Sequence, residues 1–146
     1  MYTFFYFCVI MKIYEKDMEN QKEYLEYIKE NLKNENFTVK CNTCFKIENN
    51  IMFIVGFHKR ADGIYNTQVG LTLDLLSKPS IKNMQVSDAP AIGLNINKED
   101  AEKNYNKAIL DFIKKWFKDR DTIDKIKVLL SKNELGLVVS TLLKNL

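Results

Sequence analysis

The spacing of apolar residues changes once near the start of this chain, and that change sets the fold class. Over residues 15–34, Leu25, Ile28 and Leu32 recur at helical spacing, with Met18, Tyr24 and Tyr27 beside them. The opposite side carries Glu19, Glu23, Glu26, Glu30, Lys22 and Lys29. A single apolar stripe with a charged back is a helix that buries one face. After "NEN" at 34–36 the period becomes two: Phe37, Val39, Cys41, Thr43, Phe45 and Ile47 alternate with Thr38, Lys40, Asn42, Cys44 and Lys46. That alternation is a half-buried strand, because successive side chains of a strand point to opposite faces.

A second strand, Ile51 to His58, is apolar on both faces, which suits an interior position. A three-residue loop, Glu48-Asn49-Asn50, pairs Ile47 with Ile51 and gathers the bulky odd-numbered residues on one face. A two-residue turn at Asn49-Asn50 pairs Ile47 with Met52 instead. The first arrangement buries more and is the expectation, with Asn50 taking the left-handed conformation. "KRADG" at 59–63 is the next turn, a third strand runs from Tyr65 to Leu75, and a short fourth lies around Met84 to Val86. Consecutive strands joined by short turns form an antiparallel meander.

Helices follow. Asn97 is a candidate N-cap, with Asp100 at the third helical position. Ala101, Tyr105, Ala108, Ile109, Phe112, Ile113, Trp116 and Phe117 make one continuous apolar stripe. A shorter helix from Thr122 to Leu130 has Asp121 as its cap. A last helix is expected to carry Leu135, Val138, Val139, Leu142, Leu143 and Leu146. The sum is an α+β domain: a four-stranded antiparallel meander, five-stranded if the N-terminal segment joins it, with an N-terminal helix and C-terminal helices packed on its odd face. Residues 11–146 form this single domain.

The 146 residues suffice for a core without disulfide staples. Three cysteines do not make a disulfide framework, and a reducing cytoplasm fits that count. Residues 1–10, "MYTFFYFCVI", carry no charge and five aromatics. They are too short to cross a bilayer as a helix and lack the basic leader of a signal peptide. They read as an extension ahead of a working start at Met11 or, with both faces apolar, as a further strand.

The chemistry-bearing residues are few. Cys41 and Cys44 form a Cys-x-x-Cys pair. On one continuous strand, residues three apart face opposite ways, so Cys41 is expected in the core and Cys44 outside it. No second pair completes a zinc site, and the pair does not open a helix as a thioredoxin-type motif does. His58, with Asp62 or Asp74, is the one candidate acid–base grouping. Asp62, Asp74 and Asp88 have no metal-ligand spacing, and the five glycines form no phosphate loop. Lys114, Lys115, Lys118, Arg120, Lys125 and Lys127 are interrupted by Asp111, Asp119, Asp121 and Asp124, which reads as a solvated helix face before a nucleic-acid site. The net charge of +3 points to no polyanion.

The segment "DAPAIGLNINKEDAEKNYNKAILDFIKKWF", with "TQVGLTLDL" before it, resembles part of a family of small uncharacterised bacterial α+β proteins. There a strand passes through a glycine-containing turn into a helix; here Gly93, Asp100, Ala101, Ala108 and Phe112 stand at the corresponding places. A further glycine of that turn is replaced in the region of Pro90 and Ala91. The resemblance implies a helix–meander–helix fold and no activity. The shape also looks like small immunity proteins and secretion chaperones.

The sequence therefore supports a cytoplasmic, non-enzymatic binding protein with a protein partner. No residue is assigned a catalytic, cofactor or metal role. A homo-oligomer is left open, and neither nucleic acid nor a membrane is favoured. The expected contact surface is the second sheet face, which mixes Thr38, Lys40, Asn42, Lys46, Asn66, Gln68 and Thr72 with Met52 and Ile54, unless the C-terminal helices or the N-terminal arm cover it. A small enzyme built on His58 and a weak nucleic-acid binder are the alternatives.

Overall fold

The computed structural model describes residues 21–61, 63, 65–89, 104–144 and 146. The chain is α+β. Helix α1 includes residues 21–34. Six strands follow: β1 (Thr38–Lys40), β2 (Thr43–Glu48), β3 (Ile51–Lys59), β4 (Tyr65–Thr72), β5 (Val86–Asp88) and β6 (Val138–Val139). Helices α2 (Tyr105–Lys118) and α3 (Ile123–Ser131) fall between β5 and β6. The strands lie in sequence order in one sheet, and every neighbouring pair is antiparallel. The expected extension at 1–10 and the expected Asn97 cap lie outside the described residues.

Two turns overturn the expected strand parity. The strand read from Phe37 to Ile47 is two strands. Cys41 has a φ of 54°, and the chain reverses over Cys41-Asn42 so that Lys40 pairs with Thr43. The turn is held by the Phe57 amide, which donates to the Asn42 carbonyl at 3.0 Å. The next hairpin uses the two-residue turn Asn49-Asn50, with φ of 54° and 63°. Glu48 therefore pairs with Ile51 and Ile47 with Met52, not Ile47 with Ile51. Two successive positive-φ residues match the twist of the flanking strands, which a type I or II turn would splay, and asparagine tolerates both positions. Asn49 Nδ2 also donates to the Asp121 carbonyl at 2.8 Å, fixing the turn to the α2–α3 link.

One consequence is that Cys44, not Cys41, lies in the core: it pairs with Val55 and is fully buried, while Cys41 is exposed. The row Val39, Cys44, Val55, Val69 runs across four strands on the helix-facing side. Phe53, Leu71, Val86 and Val139 form the next. Against them pack Ile28 and Leu32 of α1 and Ile109, Ile113, Trp116 and Phe117 of α2, so the helices do sit on one face.

The second face is covered at its centre by a segment that the sequence reading did not propose, and the N-terminal arm lies outside the described residues. The segment after β4 turns at Asp74, whose amide bonds Thr72 Oγ1 and whose carboxylate accepts from the Leu76 amide. It then returns through a short 3-10 turn, Ile81–Asn83, across the middle of the sheet. Gly56 and Gly70 make room for it. A Cβ on Gly70 would lie 2.5 Å from both the Met84 sulfur and the Val86 carbonyl oxygen, and one on Gly56 would collide with Ile81. Met52 and Ile54 are thereby buried. Lys46 leaves this face altogether, since it pairs with Phe53.

The helix ends differ from the sequence reading by cap chemistry. Asn104 caps α2, its side chain accepting from the Lys107 amide, and Ala101 lies outside the described residues. Thr122, not Asp121, caps α3 and accepts from the Lys125 amide; Asp121 instead holds Lys125 Nζ at 2.7 Å. The expected last helix does not form. Gly136 comes so close to β5 that a Cβ there would meet Ser87 O at 2.9 Å, and the β-branched pair Val138-Val139 adds to the open edge of β5.

Candidate functional site

His58 stands exposed at the end of β3, opposite Asn66. Asp74 follows β4's other end, and the six rows between the His58 and Met52 levels amount to about 20 Å. The two are therefore not brought together, and Asp62 lies outside the described residues. Asp88 accepts from the Trp116 indole at 3.4 Å and from the Ala89 amide at 3.0 Å, a structural use at the sheet–helix junction. No group of three His, Cys, Asp or Glu side chains that could hold a metal occurs among the described residues. No helix among them is long and apolar enough to cross a membrane.

The buried polar side chains bond one another or the backbone. Tyr24 hydrogen-bonds Thr67, and burial beside Tyr105 holds its hydroxyl far above the ordinary range, so it stays neutral. Arg120 is only 8% exposed. It donates to the carbonyls of Leu135 (2.8 Å), Trp116 (3.1 Å) and Glu134 (3.4 Å) and lies 4.1 Å from the Trp116 ring centre. Burial pulls its guanidinium down from the usual range, against the opposing charges of Asp119 and Asp88. Every buried side-chain nitrogen or oxygen among the described residues has a partner, so the interior holds no unsatisfied polar group aimed at a ligand.

The cysteines are separated by environment. Burial pushes the Cys44 thiol up to about 11, with Lys29 opposing, while Cys41 opens on a hollow of about 310 Å³ beside Lys40 and Lys78. In a Cys8→Ser background, a disulfide reagent at neutral pH should modify Cys41 within the mixing time of a bench assay. Cys44 should react only as the chain opens. Because the folded-state thiol value exceeds the ordinary 9.0, the contribution of Cys44 to stability is fully present below that pH. It is lost as pH climbs towards about 11. Two thiols reacting equally fast would contradict this placement.

Besides a hollow of about 490 Å³ on α2 and α3, lined by Asp119, Asp124 and Lys125 among others, two concavities stand out among the described residues. One, of about 210 Å³, has Phe37, Phe53 and Phe117 among its walls. Two of its lysines are paired, Lys114 with Glu35 at 3.3 Å and Lys46 with Glu48 at 2.9 Å, and Lys118 and Asp121 also line it. The other, of about 690 Å³, lies beside β6 between α3 and the C-terminal residues. Leu130, Leu135, Leu137, Val139 and Leu146 supply its apolar lining, Lys127 and Lys144 are its charged side chains, and no acidic side chain of the described residues lines it.

Around this groove the surface is unusually apolar. Leu137 is 65% exposed, Val138 64%, Leu142 79% and Leu146 45%. β6 ends the sheet, so beyond it no described strand pairs with its outer edge. Sequence reading missed this site because Val138, Leu142 and Leu146 fit a helical stripe. The available signal was "GLVVS", a glycine before two β-branched residues, which favours a strand over a helix. The basic residues of α2 and α3 are spread over exposed positions, with Lys114 and Lys125 already paired to acids. Family models, curated proteins and solved structures yield no match to this chain.

Proposed function

We propose that this protein acts by binding a protein partner, without catalysing a reaction, and that the contact is the open β6 edge with the groove beside it. The observation that carries this reading is the exposure of Leu137, Val138, Leu142 and Leu146 on and beside β6, one of the two edge strands of the sheet, whose outer edge no described strand pairs with. Isolated exposed leucines are ordinary; several exposed apolar side chains on and just after an edge strand offer a place for another chain. Strand addition supplies main-chain hydrogen bonds, and flanking pockets supply selectivity. The polar second face, with its centre under Ile81 and Met84, is the weaker candidate surface.

A photo-cross-linking residue at position 138, in cells that naturally make the protein, tests this. One discrete protein adduct should form, be absent with the same probe at exposed position 40, and disappear when Leu142→Glu is added. The same adducts at both positions, or none at 138, would reject the reading.

A further inference from the structure

The groove also specifies the charge of what it holds. Resting on the binding reading above, we infer that the β6 groove takes an extended segment of a partner protein that carries apolar side chains with carboxylates beside them. The argument is charge complementarity. The groove's apolar lining comes from Leu130, Leu135, Leu137, Val139 and Leu146, while both of its charged side chains, Lys127 and Lys144, are cations. Neither makes an ion pair among the described residues. The smaller cleft shows the alternative: there Lys114 and Lys46 already have Glu35 and Glu48, and an incoming acid would find them occupied.

The strand edge sets the form of the ligand. A segment pairing beside β6 directs alternate side chains to opposite sides. Lys127 and Lys144 line the same groove as the leucines, so the set of side chains that enters it must carry both the apolar groups and the carboxylates. A basic segment would meet two unopposed cations, which disfavours it as strongly as an acidic one is favoured. The chain's own residues 1–10 are apolar and carry no acid, so they do not answer the charge of the groove.

The test uses the full-length protein and two short fluorescent peptides, both designed so that one strand face carries leucine or valine and a charged residue in turn, glutamate in one and lysine in the other. The glutamate peptide should bind about tenfold more tightly at low salt, as expected for two exposed ion pairs. The preference should shrink between about 0.05 M and 0.5 M salt, where screening shortens to a few Å. The Lys127→Glu/Lys144→Glu variant should reverse it without shifting the melting temperature, since both side chains are exposed. Equal affinity for the two peptides, or a preference indifferent to the double charge reversal, overturns the proposal. So does binding to anionic vesicles in place of the glutamate peptide, or peptide binding that emerges only after residues 1–10 are removed. If the position-138 adduct forms but charge reversal leaves it unchanged, the acidic-ligand proposal fails and the binding reading stands; loss of both results removes both.

Discussion

Phe117→Ala is expected to lower the unfolding free energy by about 3–5 kcal/mol, the usual range for truncating a buried ring. Phe117 is the point where three elements meet. Its ring centre is 5.0 Å from that of Phe53 on β3, 5.5 Å from Phe37 ahead of β1, and 5.6 Å from Trp116 on its own helix. Truncation removes the area of one ring and the edge and stacking contacts of three pairs. With a typical total of about 5–15 kcal/mol, much of the fold's stability is at stake. Urea denaturation of Phe117→Ala beside Phe112→Ala checks this. Phe112 lies on the same helix but is only half-buried, so its truncation should move the midpoint less. Equal midpoint shifts would show that the ring cluster adds nothing beyond helix burial.

Periodicity carried the sequence reading as far as periodicity can. The stripes Leu25-Ile28-Leu32 and Ile109-Ile113-Trp116-Phe117 announced two helices with one buried side, and both are found in the core. The run Ile51–Phe57, apolar on both faces, announced an interior strand, and β3 has neighbours on each side and cover on both faces. What periodicity could not show was phase. A period-two pattern continues unbroken through a tight reversal if the residue counts agree. Phe37 to Ile47 alternates regularly although the chain turns back at Cys41-Asn42. The sign of φ at Cys41 is a tertiary choice, made where the Asn42 carbonyl meets the Phe57 amide. With that turn missed, the two cysteines exchanged places.

The C-terminal region failed for a different reason. Leu135, Val138, Val139, Leu142, Leu143 and Leu146 satisfy a helical stripe, but only Leu135 and Leu143 are fully buried. The free edge of β5 competes for this segment, and an edge created by strands about fifty residues earlier is invisible to a local pattern. The exposed leucines are therefore both the largest error of the sequence reading and the main evidence for a binding surface. That agrees with the general expectation that local rules break at functional sites.

Arg120→Met is expected to cost about 2–4 kcal/mol, the loss of hydrogen bonds from a charged donor to buried carbonyls, partly offset by removing a desolvated cation. The side chain is the tie between α2 and the approach to β6, because it holds the carbonyls of Glu134 and Leu135 while lying over Trp116. Methionine fills similar volume but offers no donor, so those carbonyls lose their partner and the segment from Glu134 to Val139 loses its anchor. The loss should be local before it is global. Amide exchange at Val138, Val139 and Leu143 should speed up more than at Ile54 or Val55, which sit in the middle of the sheet. Arg120→Lys should recover only part of the stability, since one ammonium cannot reproduce a planar fork serving carbonyls on two elements. Binding of the glutamate peptide should weaken in Arg120→Met although Arg120 does not line the groove, because β6 is the wall it positions. A methionine variant as stable as the parent, with unchanged exchange at β6, would show that the cost of burying the guanidinium equals all that its hydrogen bonds return.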